Sequence, residues 1–437
     1  MRYDRRYHAA ASTTSYVFGQ LIPYIGNKRK LLDLIAQALA QTGSDPRRAR
    51  FLDAMAGSGV VSRWAKQAGF EVVSNDWEPY TAAINGCYIA CNTPPVFARR
   101  PYDEVIAELN ALAPGDGWVT RHLCPRDDAN PDLEHERMFY MRKNGRRIDA
   151  IRSRIAEWDA AGGLTEAQRC GLLAPLLYQA CYTSNTSGVF KGFHRGWGGQ
   201  TGTALSRIAS DLRLSPAVFF DNGRRNQVFQ ADAADLAASP RELGAIDIVY
   251  LDPPYNQHPY GSNYHVLNSV TLWDHPALEP TITRRGDKSA IRHDWRARRS
   301  PYNRSAEALA AHERLLAAFD VPWIATSYST DGNIDLLALL RATVERGDTS
   351  VFLRTYKRYR VSSQRLSTRP VNVEFVLLTR TAGRRRLSPE ALAARIRAAE
   401  RAALAAHAKA HAKPDATAEA SANGTAPRAG SRVLQGA

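Results

Sequence analysis

Cysteine is scarce in this chain, and long apolar runs are missing. Five cysteines among 437 residues are too few for a disulfide scaffold, and their odd number leaves at least one thiol unpaired. No stretch of about 18 uncharged apolar residues occurs, which argues against a membrane-spanning helix. The opening MRYDRRYHAA has no apolar core of the kind a secretory signal needs, so a soluble cytoplasmic protein without a membrane partner is expected. Acidic residues are outnumbered, 43 against 58 Lys plus Arg, giving a formal net charge of +15. Cations that neutralise phosphates release condensed counterions, so this balance suits nucleic acid. Arginine greatly outnumbers lysine and alanine is abundant, which a GC-rich genome would also produce. With 44% hydrophobic and 9% aromatic residues the chain can bury a sizeable core.

Short apolar runs mark seven expected strands, at Arg50–Ala54, Glu71–Asp76, Asn226–Asp232, Ala245–Asp252, Pro322–Ser329, Ser350–Tyr356 and Glu374–Arg380. Helical patterns fall between many of them, at Lys28–Gln41, Val60–Ala68, Ser305–Phe319 and Asp331–Glu345. This alternation predicts an α/β fold with a doubly wound sheet, in which ligands lie beyond the carboxyl ends of the strands. Asp53, Asp76, Asp232 and Asp252 fall at those ends. Residues 18–95 and 225–382 form the expected sheet domain, interrupted at 96–224 by a mainly helical insertion too long for a simple crossover. Within the sheet domain, 256–304 mixes basic and aromatic residues and reads as a loop or lid, or as a solvated basic surface. Residues 388–412 read as an Ala/Arg-rich helix opened by Ser-Pro-Glu. Beyond it, 413–437 has the composition of a disordered tail.

Asp53 leads into Ala-Met-Ala-Gly57-Ser-Gly59, a strand-to-helix turn whose glycines and free N–H groups let a ligand approach. Two glycines also serve packing in many such turns, so the motif alone is weak. Asp76 follows about 20 residues later, the spacing at which a carboxylate can accept ribose hydroxyl protons beside the first turn. The sharpest signal is Asp252-Pro253-Pro254-Tyr255, directly after the apolar run Ile246–Leu251. Consecutive prolines stop the ladder and leave carbonyls without hydrogen-bonding neighbours. Asp252 and the Pro253 carbonyl could each accept one hydrogen of an amino group while Tyr255 stacks on the attached ring.

In order, Tyr24-Ile25-Gly26-Asn27-Lys28, the Asp53-to-Gly59 turn and Asp252-Pro253-Pro254-Tyr255 resemble the motifs of the Dam-like (D12 class) DNA adenine-N6 methyltransferases. The likeness covers roughly residues 20–95 and 225–380. It implies a seven-stranded methyltransferase sheet whose last two strands form a hairpin, S-adenosylmethionine as cofactor, and double-stranded DNA as partner, with room for a companion restriction endonuclease. It implies that Tyr24 and Lys28 contact the cofactor, Lys28 near its methionine carboxylate. Asp53 would hold the methionyl ammonium, Asp76 the ribose, and Asp232 the cofactor's adenine amine. A lysine starting a helix and an aspartate capping the next turn explain Lys28 and Asp232 without a ligand. Where the family shows Pro-Phe, this chain has Ala54-Met55, which keeps an apolar contact but neither rigidity nor a ring.

The expected chemistry is attack of a flipped adenine N6 on a sulfonium methyl, helped by two acceptors on the amine. Residues 182–199 could face base edges or form a glycine-rich structural loop. Residues 354–360 alternate cations and rings, suiting phosphates or a solvated hairpin. Cys87, Cys91, His122, Cys124 and His135 match no common zinc spacing, and the expected chemistry needs no metal. No cysteine follows a proline, which disfavours cytosine-C5 methylation. RNA adenine, DNA cytosine-N4 and protein glutamine remain alternative amines, and a catalytically dead DNA-binding module is the non-enzymatic alternative.

Overall fold

The structure, a computed structural model, describes residues 15–357 and 371–411 apart from Arg99, Gln200 and Arg298. The tail expected over 413–437 and residues 358–360 of the basic-aromatic segment therefore lie outside the described residues.

Seven strands form one sheet in the order β3-β2-β1-β4-β5-β7-β6. They are β1 Arg50–Asp53, β2 Glu71–Asn75, β3 Gln227–Phe229, β4 Ile248–Leu251, β5 Trp323–Ser329, β6 Asp348–Lys357 and β7 Val371–Arg380. The first five pair in parallel, and β7 runs antiparallel to both β5 and β6. The expected α/β sheet, including its closing hairpin, is what the chain forms. Strand order reverses between β1 and β4, which opens a crevice at their carboxyl ends.

Alternation along the strands builds a core on each face. Phe51, Val72 and Ile248 pack into one apolar cluster, and their successors Leu52, Val73 and Val249 into another. A side-chain period of two requires this when helices cover both faces of a sheet. Helix Val60–Ala68 begins at Gly59, in the left-handed region at φ 75°, and stops at Gly69, at φ 107°. Glycine enters that region without steric strain.

Helices Tyr102–Ala111, Trp118–Leu123, Arg142–Ala160 and Glu166–Tyr182 lie between β2 and β3 and share a third apolar cluster. Thr165 caps the last of them in a reciprocal capping box with Gln168. The stretch 256–304 is more ordered than a lid. It contains helices Tyr260–Asn263 and His265–Leu272, whose Tyr264, Val266, Leu267 and Val270 are buried in that same third cluster. Helical spacing of apolar residues, masked by the surrounding Gly, Ser and Asn, explains the difference. The Ala/Arg-rich helix spans Pro389–His411. Among the described residues no helix is long and apolar enough to cross a membrane.

Candidate active site

The carboxyl ends of β1, β2 and β4 converge on one cavity. Tyr24, Lys28, Asp53, Gly57, Asp76, Asp232 and the whole of Asp252-Pro253-Pro254-Tyr255 line it. The sequence-derived residues are thus brought together, with Gly59 one position beyond the lining Ser58.

The turn after β1 is held by its neighbours. Asp76 accepts the Gly57 N–H through Oδ2 at 2.7 Å and the Glu78 N–H through Oδ1 at 3.0 Å. Burial pushes the Asp76 carboxyl up, and those two N–H groups oppose the shift. Gly57 has φ 51°, and a Cβ there would lie 2.7 Å from the Tyr24 ring; a Cβ on Gly59 would lie 2.0 Å from Asn85 Oδ1. Both glycines are therefore needed for close packing against protein side chains. Asn75, which the motif search missed, ties the turns together: its Nδ2 donates to the Ala54 and Ala231 carbonyls, and its Oδ1 accepts the Ala231 N–H.

Asp53 is buried. Ser62 donates to its Oδ2 at 2.7 Å, while Oδ1 has no hydrogen-bond partner among the described residues. Burial pushes the carboxyl up to about 7 against the Ser62 hydrogen bond, and the nearby Asp252 and Asp76 add to the rise. A buried oxygen without a donor at a cavity wall is suited to a cationic N–H group. Asp232 does what a cap does: its Oδ1 accepts the Ala234 N–H at 2.8 Å and starts the helix Ala233–Ala237.

Lys28 lines the cavity and pairs with Asp252 within the protein. Gly26, at φ 79°, folds the chain so that Lys28 turns inward, 3% exposed. Its Nζ lies 2.7 Å from Asp252 Oδ1, 3.1 Å from the Gly26 carbonyl and 5.0 Å from the Tyr255 ring centroid. Burial depresses the ammonium, and Asp252 together with Tyr255, Glu374 and Tyr250 outweighs it, so Lys28 is held well above its ordinary pKa. Burial pushes Asp252 up, and Lys28 pulls against it. The expected helix Lys28–Gln41 accordingly starts as a short 3₁₀ turn at Lys28–Lys30 and becomes α-helical only over Leu32–Ala40. Tyr260 donates to the Ile25 carbonyl and Tyr264 accepts the Ile25 N–H, and both rings stack on Tyr24.

Asp252 Oδ2 and the Pro253 carbonyl receive no hydrogen bond among the described residues. The peptide beyond them is pinned, because Asn333 N–H donates to the Tyr255 carbonyl and the Tyr255 ring meets Tyr328 edge-on at 5.7 Å. Two acceptors and an aromatic ring thus stand together on a fixed backbone.

Other sequence-derived candidates have structural partners. Asn185 Nδ2 holds the Met138, His194 and Gly196 carbonyls, and Thr183, Ser184 and Thr186 are buried beside it. These side chains of the 182–199 segment build the loop from within. Arg354 donates to the Lys30 carbonyl. Among the described residues no three His, Cys, Asp or Glu side chains gather as a metal site would require. Tyr302 and Asn303, from the end of the 256–304 stretch, line the cavity and were not singled out from sequence. Their only signal was position in an aromatic-polar loop after the Asp-Pro-Pro-Tyr strand.

Comparison with known proteins agrees with this geometry. The chain is 30% identical over 358 residues to the type II methyltransferase M.NlaIII of Neisseria lactamica, covering 81% of this chain and 97% of that protein. It is 30% identical over 345 residues to the modification methylase StsI of Streptococcus sanguinis, covering 77% of this chain and 48% of the relative. The type II methyltransferase M.CviAII of Paramecium bursaria Chlorella virus 1 is 28% identical over 347 residues, 78% of this chain and 93% of the relative. Residues 24–309, well over half of the chain, match the family described as D12 class N6 adenine-specific DNA methyltransferase. With the Asp-Pro-Pro-Tyr peptide, the glycine turn and the sheet order in place, the chain belongs to the D12 class of N6 adenine-specific DNA methyltransferases.

Proposed function

We propose that this chain methylates N6 of an adenine turned out of double-stranded DNA at a specific sequence, with S-adenosylmethionine as methyl donor. The observation that carries the proposal is the state of Asp252, whose Oδ1 is fixed by Lys28 while Oδ2 and the Pro253 carbonyl stay open.

Bound S-adenosylmethionine supplies a methyl group on a positively charged sulfur. In this reading Asp53 Oδ1 holds the methionyl ammonium, because it is a buried acceptor left without a donor at the wall of this cavity. Asp76 takes the ribose hydroxyls, Tyr24, Gly57 and Gly59 shape the wall, and the second oxygen of Asp232 faces the adenine amine. Lys28 opposes the burial that pushes the Asp252 carboxyl up, and so favours its role as a hydrogen-bond acceptor.

An adenine amine is flat because its lone pair is shared with the ring. Asp252 Oδ2 and the Pro253 carbonyl each accept one N6 hydrogen and favour the pyramidal nitrogen whose lone pair is free to attack. Tyr255 holds the ring by stacking, and Pro253 and Pro254 keep both acceptors from relaxing away. The protein's contribution is positioning and fixed electrostatics in a site that excludes water. The proton lost from N6 after transfer passes along the Asp252 hydrogen bond toward solvent. A stacked base cannot reach these groups, so the target must leave the helix.

The helical segment 96–224 is the proposed duplex-reading part, and the exposed Arg126 and Arg195 are candidates for phosphate contacts. A companion restriction endonuclease for the same site is part of this proposal.

The test is transfer of labelled methyl to unmethylated duplex DNA, single-stranded DNA and RNA, followed by nucleoside analysis. N6-methyladenine in duplex DNA, mapped to one sequence and lost in Asp252→Ala, is the expected result. Label on cytosine or RNA alone, or a folded Asp252→Ala variant that keeps wild-type transfer, would overturn it.

A further inference from the structure

A second cavity adjoins the first. Tyr24, Lys28 and Tyr255 line both, and Arg29, Lys30 and Glu374 line only the second. Glu374 lies on β7, opposite Ser329 of β5 and Arg354 of β6. Its Oε2 is buried with no hydrogen-bond partner among the described residues. The arginine across the ladder does not rescue it, since Arg354 is tied to the Lys30 carbonyl and to Asp33. Asn372 Oδ1, on the same strand face, has donors by contrast, accepting from both the Ser329 and Thr330 hydroxyls at 2.9 Å. Leaving a buried polar atom unpaired costs about 1–3 kcal/mol, so such an atom beside a reactive peptide calls for a ligand.

We propose that the second cavity receives the ring of the flipped target adenine and that Glu374 is a further base-binding residue, donating its carboxyl proton to a ring nitrogen beside the amine. This rests on the methyltransferase reading above.

The division of labour follows from hydrogen-bond inventory. Asp252 and the Pro253 carbonyl consume both N6 hydrogens, and of the remaining ring acceptors N1 and N7 are the two that flank the amine. Lys28 is already committed to Asp252 and the Gly26 carbonyl. Glu374 can donate only while protonated, and its surroundings favour that form. Burial pushes its carboxyl up to about 7, with Asp252 and Asp331 adding to the rise and Lys28 opposing it. Tyr255 faces the same space, and the exposed Arg29 and Lys30 at the rim suit the flanking phosphates of an extruded nucleotide.

The experiment uses the full chain and duplexes carrying adenine, 7-deazaadenine or 1-deazaadenine at the mapped target. Wild type should lose roughly five- to tenfold in kcat/KM with one of the two deaza bases, the size expected for one neutral hydrogen bond. Glu374→Ala should fall by the same factor on adenine and show no further loss with that analogue. Differences in base-pair strength cancel in this cycle. Glu374→Gln, whose amide still donates, should keep most of the adenine activity and lack the loss at saturating cofactor that ionisation of Glu374 predicts for wild type above pH 7. Wild-type indifference to both deaza bases, or a folded Glu374→Ala variant that discriminates as wild type does, would overturn the role of Glu374 while leaving adenine methylation intact. Absence of any transfer to adenine would instead sink the methyltransferase reading, and this inference with it.

Discussion

Asp53 and Asp149 are both buried carboxylates, one at the end of β1 and one in the helix Arg142–Ala160. Asp149 accepts from the Gly117, Val119 and Thr120 N–H groups and from the Thr120 hydroxyl. Asp53 accepts from Ser62 alone and leaves an oxygen empty. The same contrast separates the regions around them. In the helical segment Asn144, Asn185 and Arg137 are tied to backbone carbonyls and serve as scaffolding. At the strand ends Asp53, Asp252 and Glu374 keep open valences toward a cavity. A buried carboxylate whose oxygens are saturated holds the fold, and one with an open oxygen at a cavity wall is placed to take a ligand.

The largest test of this contrast is Asp252→Ala, which should reduce methyl transfer by roughly 100- to 1000-fold, as removal of a preorganised polar group at a reacting centre does. Tritium incorporation into DNA measures it, and calorimetry should find cofactor affinity changed far less. Lys28→Met leaves the Asp252 carboxylate buried and unpaired, so denaturant unfolding should show a loss of about 3–5 kcal/mol. Asp149→Ala strips an acceptor from three N–H groups, two of them buried, and should cost roughly 2–4 kcal/mol. Its cofactor affinity should match wild type, and a weakened affinity would break the contrast.

Asp53→Asn should do the reverse. Its carboxyl is raised above the ordinary Asp value, so its favourable contribution to stability is present at low pH and is lost as pH rises toward and through about 7. Above that pH the variant should melt at a higher temperature than ligand-free wild type, yet bind S-adenosylmethionine at least about tenfold more weakly. Wild-type affinity should increase as pH rises through about 7, and that dependence should flatten in the variant. The smallest effect belongs to Asp232→Ala, about 1 kcal/mol of stability from the lost cap, with Asp232→Asn close to wild type.

Much of this was legible from the chain. All seven strands lie where short apolar runs predicted them, most clearly the central β1, β2 and β4, because a strand buried on both faces must be largely apolar. Boundaries shifted where side chains intervene. The run Asn226–Asp232 pairs only over Gln227–Phe229, since Asn75 takes the Ala231 N–H. The motif residues were legible because each combines an acid with a strand end or a turn. Asn75 and Glu374 were not, since a polar residue in a strand announces nothing until its neighbours across the sheet are known. The helices within 256–304 were hidden by small polar residues between the apolar ones.

Local composition and order sufficed to determine the α/β alternation, the methyltransferase motifs and the Asp252-Pro253-Pro254-Tyr255 peptide for which amine chemistry is proposed, because each depends on residues within a few positions of one another. The partner of Lys28, the saturation of Asn185 and Asp149, and the open oxygens of Asp53 and Glu374 were decided only by tertiary structure. Hydrogen-bond satisfaction depends on groups separated by tens to hundreds of residues, and only folding brings those into reach.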